Sequence, residues 1–188
     1  MDTSAASDVI ADDRAALRLQ ILDKAVVHGR VVLSSGQEAD YYVDLRRVTL
    51  DADAAPLVGR VMLAATSELE YDAVGGLTLG ADPVAAAMLH AASAAGRRLD
   101  AFVVRKEGKA HGLQRRIEGP DVTGRRVLAV EDTSTTGASV LTAVEVLREA
   151  GADVVGVAVV VERGAAASVA ATGLPYVAAF AAADLGLA

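Results

Sequence analysis

Arg126-Val127-Leu128-Ala129-Val130-Glu131-Asp132-Thr133-Ser134-Thr135-Thr136-Gly137-Ala138-Ser139 is the stretch whose reading decides the fold. Its first half is a continuous apolar run, the pattern of a parallel strand covered on both faces. Glu131 and Asp132 stand at the C-terminal end of that strand. A Thr/Ser/Gly loop follows, and then a helix in which Val140, Val144 and Leu147 recur at i, i+4 and i+7 before Gly151 stops it. Small residues let a backbone approach an anion closely. Hydroxyls of Thr135, Thr136 and Ser139 add donors, and a helix N-terminus adds N–H groups and a positive dipole end. The two acids repel phosphate, but they accept hydrogen bonds from sugar hydroxyls or hold Mg²⁺ through water. The stretch therefore predicts a ribose-phosphate site. A plain strand–turn–helix crossover carrying two acids by chance is the alternative. No GxxxxGK(S/T) occurs, and residues 75–80 lack the GxGxxG spacing, so a P-loop and a dinucleotide fingerprint are both excluded.

The chain around this stretch has 188 residues, enough for one α/β domain with a small appendage. It has no Cys, which removes disulfides and thiol chemistry. No apolar run reaches the roughly 18 residues of a membrane span. The polar, acidic N-terminus does not read as a signal peptide, so a cytoplasmic location is expected. Net charge is −7, which argues against a nucleic-acid binder. Yet Arg97, Arg98, Arg105, Lys106, Lys109, Arg115, Arg116, Arg125 and Arg126, half of the 18 basic side chains, fall in about 30 residues. Such a cluster on an acidic protein suggests a small anionic ligand.

In chain order, residues 1–11 read as frayed, and residues 12–27 as a helix with Leu19, Leu22 and Val26 at helical spacing, ended by His28-Gly29. Residues 31–33, 34–36 and 41–46 read as strand, turn and strand, a hairpin or small lid preceding the βα alternation. Residues 56–67 form a helix with Pro near its first turn, and residues 71–75 a strand. The glycine-punctuated loop 75–81 is either a tight βα turn or part of an anion site. Asp82-Pro83 would open an Ala-rich helix as N-cap and first residue; His90 inside it is assigned no function. After a strand at 100–104, residues 105–112 carry two glycines and dense charge, which predicts a loop: a solvated charged loop, or a cationic lid over an anion. Residues 154–161 form a buried strand ended by Glu162-Arg163-Gly164. Arg163 is either a surface partner of Glu162 or, at a strand's C-terminal end, a grip for a carboxylate. A short strand at 175–180 and a terminal helical turn complete four or five parallel strands with helices on both faces.

Glu131-Asp132 followed by Thr135-Thr136-Gly137 resembles the phosphoribosyl-diphosphate (PRPP) motif of type I phosphoribosyltransferases. Arg105-Lys106-Glu107-Gly108-Lys109-Ala110-His111-Gly112 is similar to the signature loop of the orotate-specific members. Leu33-Ser34-Ser35-Gly36 with Tyr41-Tyr42-Val43-Asp44-Leu45-Arg46 resembles their N-terminal hood. The sequence departs from that pattern at Ser34, where many members have Lys, and in residues 75–81, which lack a lysine that some members carry.

The resemblance implies an α/β type I phosphoribosyltransferase fold: a central, mainly parallel sheet flanked by helices, as a single domain over 1–188 with a hood at about 1–50 and a core at about 51–188. It implies transfer of ribose 5-phosphate from PRPP to orotate, giving orotidine 5′-phosphate and diphosphate. The 5′-phosphate and ribose would be held by Glu131, Asp132, Thr133, Ser134, Thr135, Thr136, Gly137, Ala138 and Ser139. Arg105, Lys106, Lys109 and His111 would bind the diphosphate, and Thr135 and Arg163 would contact orotate. Lys109, His111 and Asp132 are the residues implied to act in catalysis. Mg²⁺ would be held mainly through PRPP and water rather than by protein ligands. A homodimer with the basic loop acting in the neighbouring site is also implied. The rivals are a purine phosphoribosyltransferase, against which the basic loop and Arg163 speak, and a non-catalytic PRPP-sensing regulator on RNA, against which net charge speaks.

Overall fold

A computed structural model describes residues 3–32, 38–107 and 116–187. The chain opens with α1 (Thr3–Gln20) and a π-helical turn (Ile21–Ala25), then β1 (Val26–Val32), β2 (Glu38–Val43) and a single helical turn, α2 (Arg46–Thr49). It continues with α3 (Ala55–Ala65), β3 (Ala73–Leu77), α4 (Ala81–Ala94), β4 (Asp100–Val104), β5 (Ile117–Glu118), β6 (Arg126–Ser134), α5 (Ala138–Glu149), β7 (Asp153–Glu162), α6 (Ala166–Ala170), β8 (Tyr176–Ala181) and a 3₁₀ turn (Ala182–Leu185).

The main sheet has the order β5-β4-β3-β6-β7-β8. Five of its strands run parallel, and β5 pairs antiparallel with the end of β4. The continuous apolar run in β6 follows from burial on both faces. Leu128 and Val130 face one core with α1, α3 and α4, while Val127 and Ala129 face a second core with α5. Strand order reverses between β3 and β6. Open α/β sheets bind ligands at such a switch point, outside the C-terminal ends of the strands.

Glycines set the spacing at this switch point. A Cβ on Gly76 would lie 2.1 Å from the Val130 carbonyl oxygen and 2.7 Å from Ala81 Cβ, so β3 can carry no side chain there. On Gly75 it would meet the Phe102 carbonyl at 2.1 Å. These contacts explain why β3 runs to Leu77, past the glycines that sequence reading placed in a loop; the loop proper is only 78–80.

The two-stranded antiparallel unit β1–β2 forms the expected hood. Val43, Leu45 and Val48 join the same core as α3 and α4, which fixes the hood's root. Several boundaries differ from expectation. The first helix starts at Thr3, where Ala-rich sequence favours helix over fraying, and it gives way to strand at Val26. His28 and Gly29 thus lie inside β1, where the β-branched Val26, Val27, Val31 and Val32 favour a strand, rather than closing a helix. β2 ends at Val43, and residues 44–49 form a turn and α2. Gly80 is the N-cap of α4, while Asp82, expected there, accepts a hydrogen bond from the Thr78 hydroxyl at 2.7 Å. The two-residue β5 was not foreseen, since its partner in β4 is distant in sequence.

Gly76→Ala should lower the unfolding free energy by about 1–3 kcal/mol, because backbone rather than a flexible side chain must move. Urea denaturation against the unsubstituted protein checks this; an unchanged midpoint would show that β3 and β6 can separate freely.

Candidate functional site

The C-terminal ends of β3 and β6, the N-terminus of α4, and the hood enclose a cavity of about 270 Å³. Glu131, Asp132, Thr133 and Ser139 line one side. Leu77, Thr78, Leu79 and Gly80 form the floor, Lys106 enters from the end of β4, and Tyr42, Val43, Asp44 and Arg46 close it from the hood.

Glu131 and Asp132 are 5% and 9% exposed, a rare degree of burial for adjacent acids. Their seat is made by Gly80. A Cβ on Gly80 would lie 2.2 Å from Glu131 Oε1 and 2.7 Å from Asp132 Oδ1, so any side chain there would push both carboxylates from their present seat against the start of α4. Local backbone donors orient them. The Thr133 N–H donates to Asp132 Oδ1 at 2.6 Å, and the Asp132 N–H to Glu131 Oε1 at 3.2 Å. Burial is the main reason that the Glu131 carboxyl is pushed up from its ordinary 4.5 to about 8, with the charges of Asp132 and, further off, Asp82 adding to it. Full charge on both acids is therefore disfavoured until a cation or a hydrogen-bond donor faces them.

Beyond Ser134 the chain turns through 135–137 into α5. Thr135, Thr136, Ala138 and Ser139 are exposed. Gly137 is the N-cap at φ +82°, a left-handed conformation that side-chain-bearing residues rarely adopt. The Ala138 N–H donates to the Thr136 hydroxyl at 3.3 Å. Small exposed residues before a 12-residue helix suit an anion.

Arg163 follows β7. Its N–H donates to the Ser134 carbonyl at 2.9 Å, which places it beside the start of the Thr135 loop. Glu162 is not its partner. The Glu162 carboxylate instead accepts from the N–H groups of Gly164 (2.6 Å) and Ala166 (3.2 Å), leaving the guanidinium to other work.

The expected cationic cluster is mostly frame. Arg97 stacks on the Tyr71 ring and donates to its carbonyl, Arg125 pairs with Asp100 at 2.8 Å, and Arg126 pairs with Glu70 at 2.6 Å and Asp72 at 3.0 Å. Treating nine cations as one ligand-binding group was too broad, because linear proximity ignores the strand that separates them. Lys106 alone of the described members lines the acid cavity. Arg105 lines the adjoining surface hollow and lies 3.6 Å from Glu118. Arg116 donates to the carbonyls of Arg105 and Lys106, and the Arg105 N–H donates to the Arg116 carbonyl at 2.7 Å, so the two ends of the basic loop are stapled together. Lys109, Arg115 and His111 lie outside the described residues, as does Ser34.

Sequence reasoning missed Asp44 and Arg46 as cavity walls; of the two readings of the 75–81 loop, Thr78, Leu79 and Gly80 line the cavity. Arg46 Nε donates to Asp44 Oδ1 at 2.8 Å, and its charge is felt at Asp132. The string containing both reads as part of a lid over the main sheet, but no local signal tells that these two residues face the end of β6.

The phosphoribosyl transferase domain model matches residues 66–172. The chain is 70% identical over 179 residues to the orotate phosphoribosyltransferase of Streptomyces avermitilis, covering 94% of this chain and 98% of that one. Among solved structures, Mycobacterium tuberculosis orotate phosphoribosyltransferase with Fe(III) dicitrate superposes with a TM-score of 0.84 at 59% identity, over 93% of this chain and 99% of that one. The same enzyme in complex with PRPP gives 0.81 at 54%, with the same coverage. With a parallel sheet, a buried acid pair at its switch point and relatives matched end to end, the chain belongs to the orotate phosphoribosyltransferase family.

Proposed function

We propose that the chain transfers the 5-phosphoribosyl group of PRPP to orotate, releasing diphosphate and forming orotidine 5′-phosphate for pyrimidine synthesis. The observation that carries this is the buried Glu131–Asp132 pair facing Lys106 and the Ser139 end of a small-residue loop across one cavity. The chemistry must develop positive charge at the anomeric carbon while a polyanion departs. Charge placement therefore dominates. Glu131 and Asp132 accept the ribose hydroxyls, and their negative charge favours an oxocarbenium-like ribose. The 135–139 loop holds the 5′-phosphate against the start of α5. Arg105 and Lys106, joined by Lys109 and His111, neutralise the leaving diphosphate. Arg163, with Thr135, holds the orotate carboxylate through two parallel hydrogen bonds. The nucleophilic nitrogen of orotate is thereby aimed at the anomeric carbon.

The cavity wall offers hard oxygen donors, which suit Mg²⁺. We infer that the ion would be held mainly through PRPP and water, with Asp132 and Asp44 of the cavity wall available to its water ligands. When bound it supplies further neutralisation of the diphosphate. We infer also a homodimer in which the basic loop serves the neighbouring site. A cytoplasmic enzyme without nucleic-acid partners fits the negative net charge. Among the described residues no helix is long and apolar enough to cross a membrane.

Loss of orotate absorbance on addition of PRPP and Mg²⁺ tests the activity, with adenine and hypoxanthine giving no product. Asp132→Asn should lower turnover about a hundredfold, the loss of two charge-assisted contacts; near-normal turnover would remove the acid pair from the reaction. Mixing Lys109→Ala subunits with Asp132→Asn subunits should restore part of the activity, since one hybrid site then has both groups intact. No recovery would place the loop in its own subunit's site.

Glu131 gives a pH signature. A carboxyl raised to about 8 in the folded chain holds a proton that the unfolded chain releases near 4.5. Its contribution to stability is complete below pH 4.5 and is lost as pH rises toward 8. Asp13, Asp51 and Asp72 act oppositely: hydrogen bonds from Arg60, Lys24 and Arg126 hold them below the usual range, so they matter only in acid. Unliganded protein should thus lose stability between pH 5 and 8, and Glu131→Gln should flatten that slope. A slope unchanged in Glu131→Gln would show that the proton sits elsewhere.

A further inference from the structure

Arg163 is held in a way that the transfer reaction alone does not explain. Its guanidinium carbon lies over the ring of Tyr41, 5.1 Å from the centroid. Its Nε is buried, and among the described residues nothing accepts its hydrogen. A buried N–H without a partner is costly, so the group is poised for an acceptor that the described residues do not supply. Tyr41 is fixed in turn. It sits in β2 of the hood, and its hydroxyl donates to the Leu187 carbonyl at 2.5 Å. Leu187 is itself packed into the core that α1, α3 and the hood share. Three distant parts of the sequence thus meet: the hood strand, the end of β7 and the C-terminal residues.

We propose that Tyr41 is a positioning residue for orotate: it sets the plane and direction of the Arg163 guanidinium, and the Leu187 carbonyl holds the Tyr41 ring in place. The physical reason lies in the fork geometry of arginine. Two parallel hydrogen bonds to a carboxylate require the guanidinium edge, not its face, to point at the acid. A long side chain that is free to rotate loses entropy when it takes up that direction. An aromatic face beneath the guanidinium fixes its plane beforehand and leaves the edge open. The hydroxyl tether keeps that face from rotating away. Tyr41 thereby acts on recognition of the planar acid, while PRPP is held by other residues, those of the 131–139 segment and the basic loop. This rests on the reading of Arg163 as the orotate contact, and the test separates the two.

Four variants decide it: Tyr41→Phe, Tyr41→Leu, Arg163→Ala and the Tyr41→Leu/Arg163→Ala pair. KM is measured for orotate and for PRPP, and thermal melts report folding. Tyr41→Phe keeps the ring and removes the tether, and should raise KM for orotate about threefold. Tyr41→Leu removes the ring and should raise it about tenfold. KM for PRPP should stay within about twofold in both. In the Arg163→Ala background, Tyr41→Leu should have almost no further effect on orotate, because its route of action is gone. If Tyr41→Leu raises KM for orotate by the same factor with and without the Arg163 side chain, the proposal is overturned while Arg163 remains the orotate contact. It is overturned equally if the Tyr41 variants shift both KM values alike, the mark of a general structural role. If Arg163→Ala by itself leaves KM for orotate unchanged, the contact reading fails first and the proposal goes with it. Should Tyr41→Leu not fold, Tyr41→Phe carries the comparison in both backgrounds.

Discussion

Two carboxylates buried side by side are the constraint on which the rest of this structure turns. Like charges in a poorly solvated place repel: burial and the Asp132 charge push the Glu131 carboxyl up, and each acid is given a backbone N–H. The arrangement has a steric condition as well. The lack of a side chain at position 80 lets α4 begin directly against both carboxylates as they now sit. The absence of Cβ at Gly76 and Gly75 brings β3 close to β6 and β4, so the sheet, the helix start and the acids converge within one tight joint. A site built this way is rigid where charge must be held and open where ligands must enter.

Rigidity is distributed unevenly around that joint. The parallel strands and their helices bury apolar side chains on both faces of the sheet. The hood is only two strands, yet it shares Val43, Leu45 and Val48 with the main core and places Asp44 and Arg46 above the acids. The basic loop is anchored at both ends by the Arg105–Arg116 contacts. The candidate site is therefore assembled from one stiff floor and a hood with a firm root, beside the anchored base of the basic loop.

Much of this was legible in the sequence. The apolar run ending in Glu131-Asp132, the Thr/Ser/Gly loop and the periodic helix after it are local features, and local features survive translation into structure. The parallel alternation and the hood hairpin could be read for the same reason. What could not be read was distance. Arg97, Arg125 and Arg126 looked like partners of Lys106 because they are near it in sequence, yet they brace the far ends of the strands. Asp44 and Arg46 looked like the end of a strand, and their place over the acids depends on a fold-back that no nearest-neighbour pattern encodes. The start of the first strand was missed because the helical spacing of Leu19, Leu22 and Val26 runs on into a β-branched segment that pairing with β2 claims.

The short strand β5 has one more consequence. It lies along the outer margin of β4, pairing Val103 with Glu118 and Val104 with Ile117, and it belongs to the segment that returns from the basic loop. An uncovered strand margin invites pairing with another chain, and a short, charged outermost strand is one of the ways proteins blunt it. The strand that follows the basic loop thus guards the sheet against self-association. Shortening it past Ile117, as a designer might do to make a smaller scaffold, would leave a sticky flank.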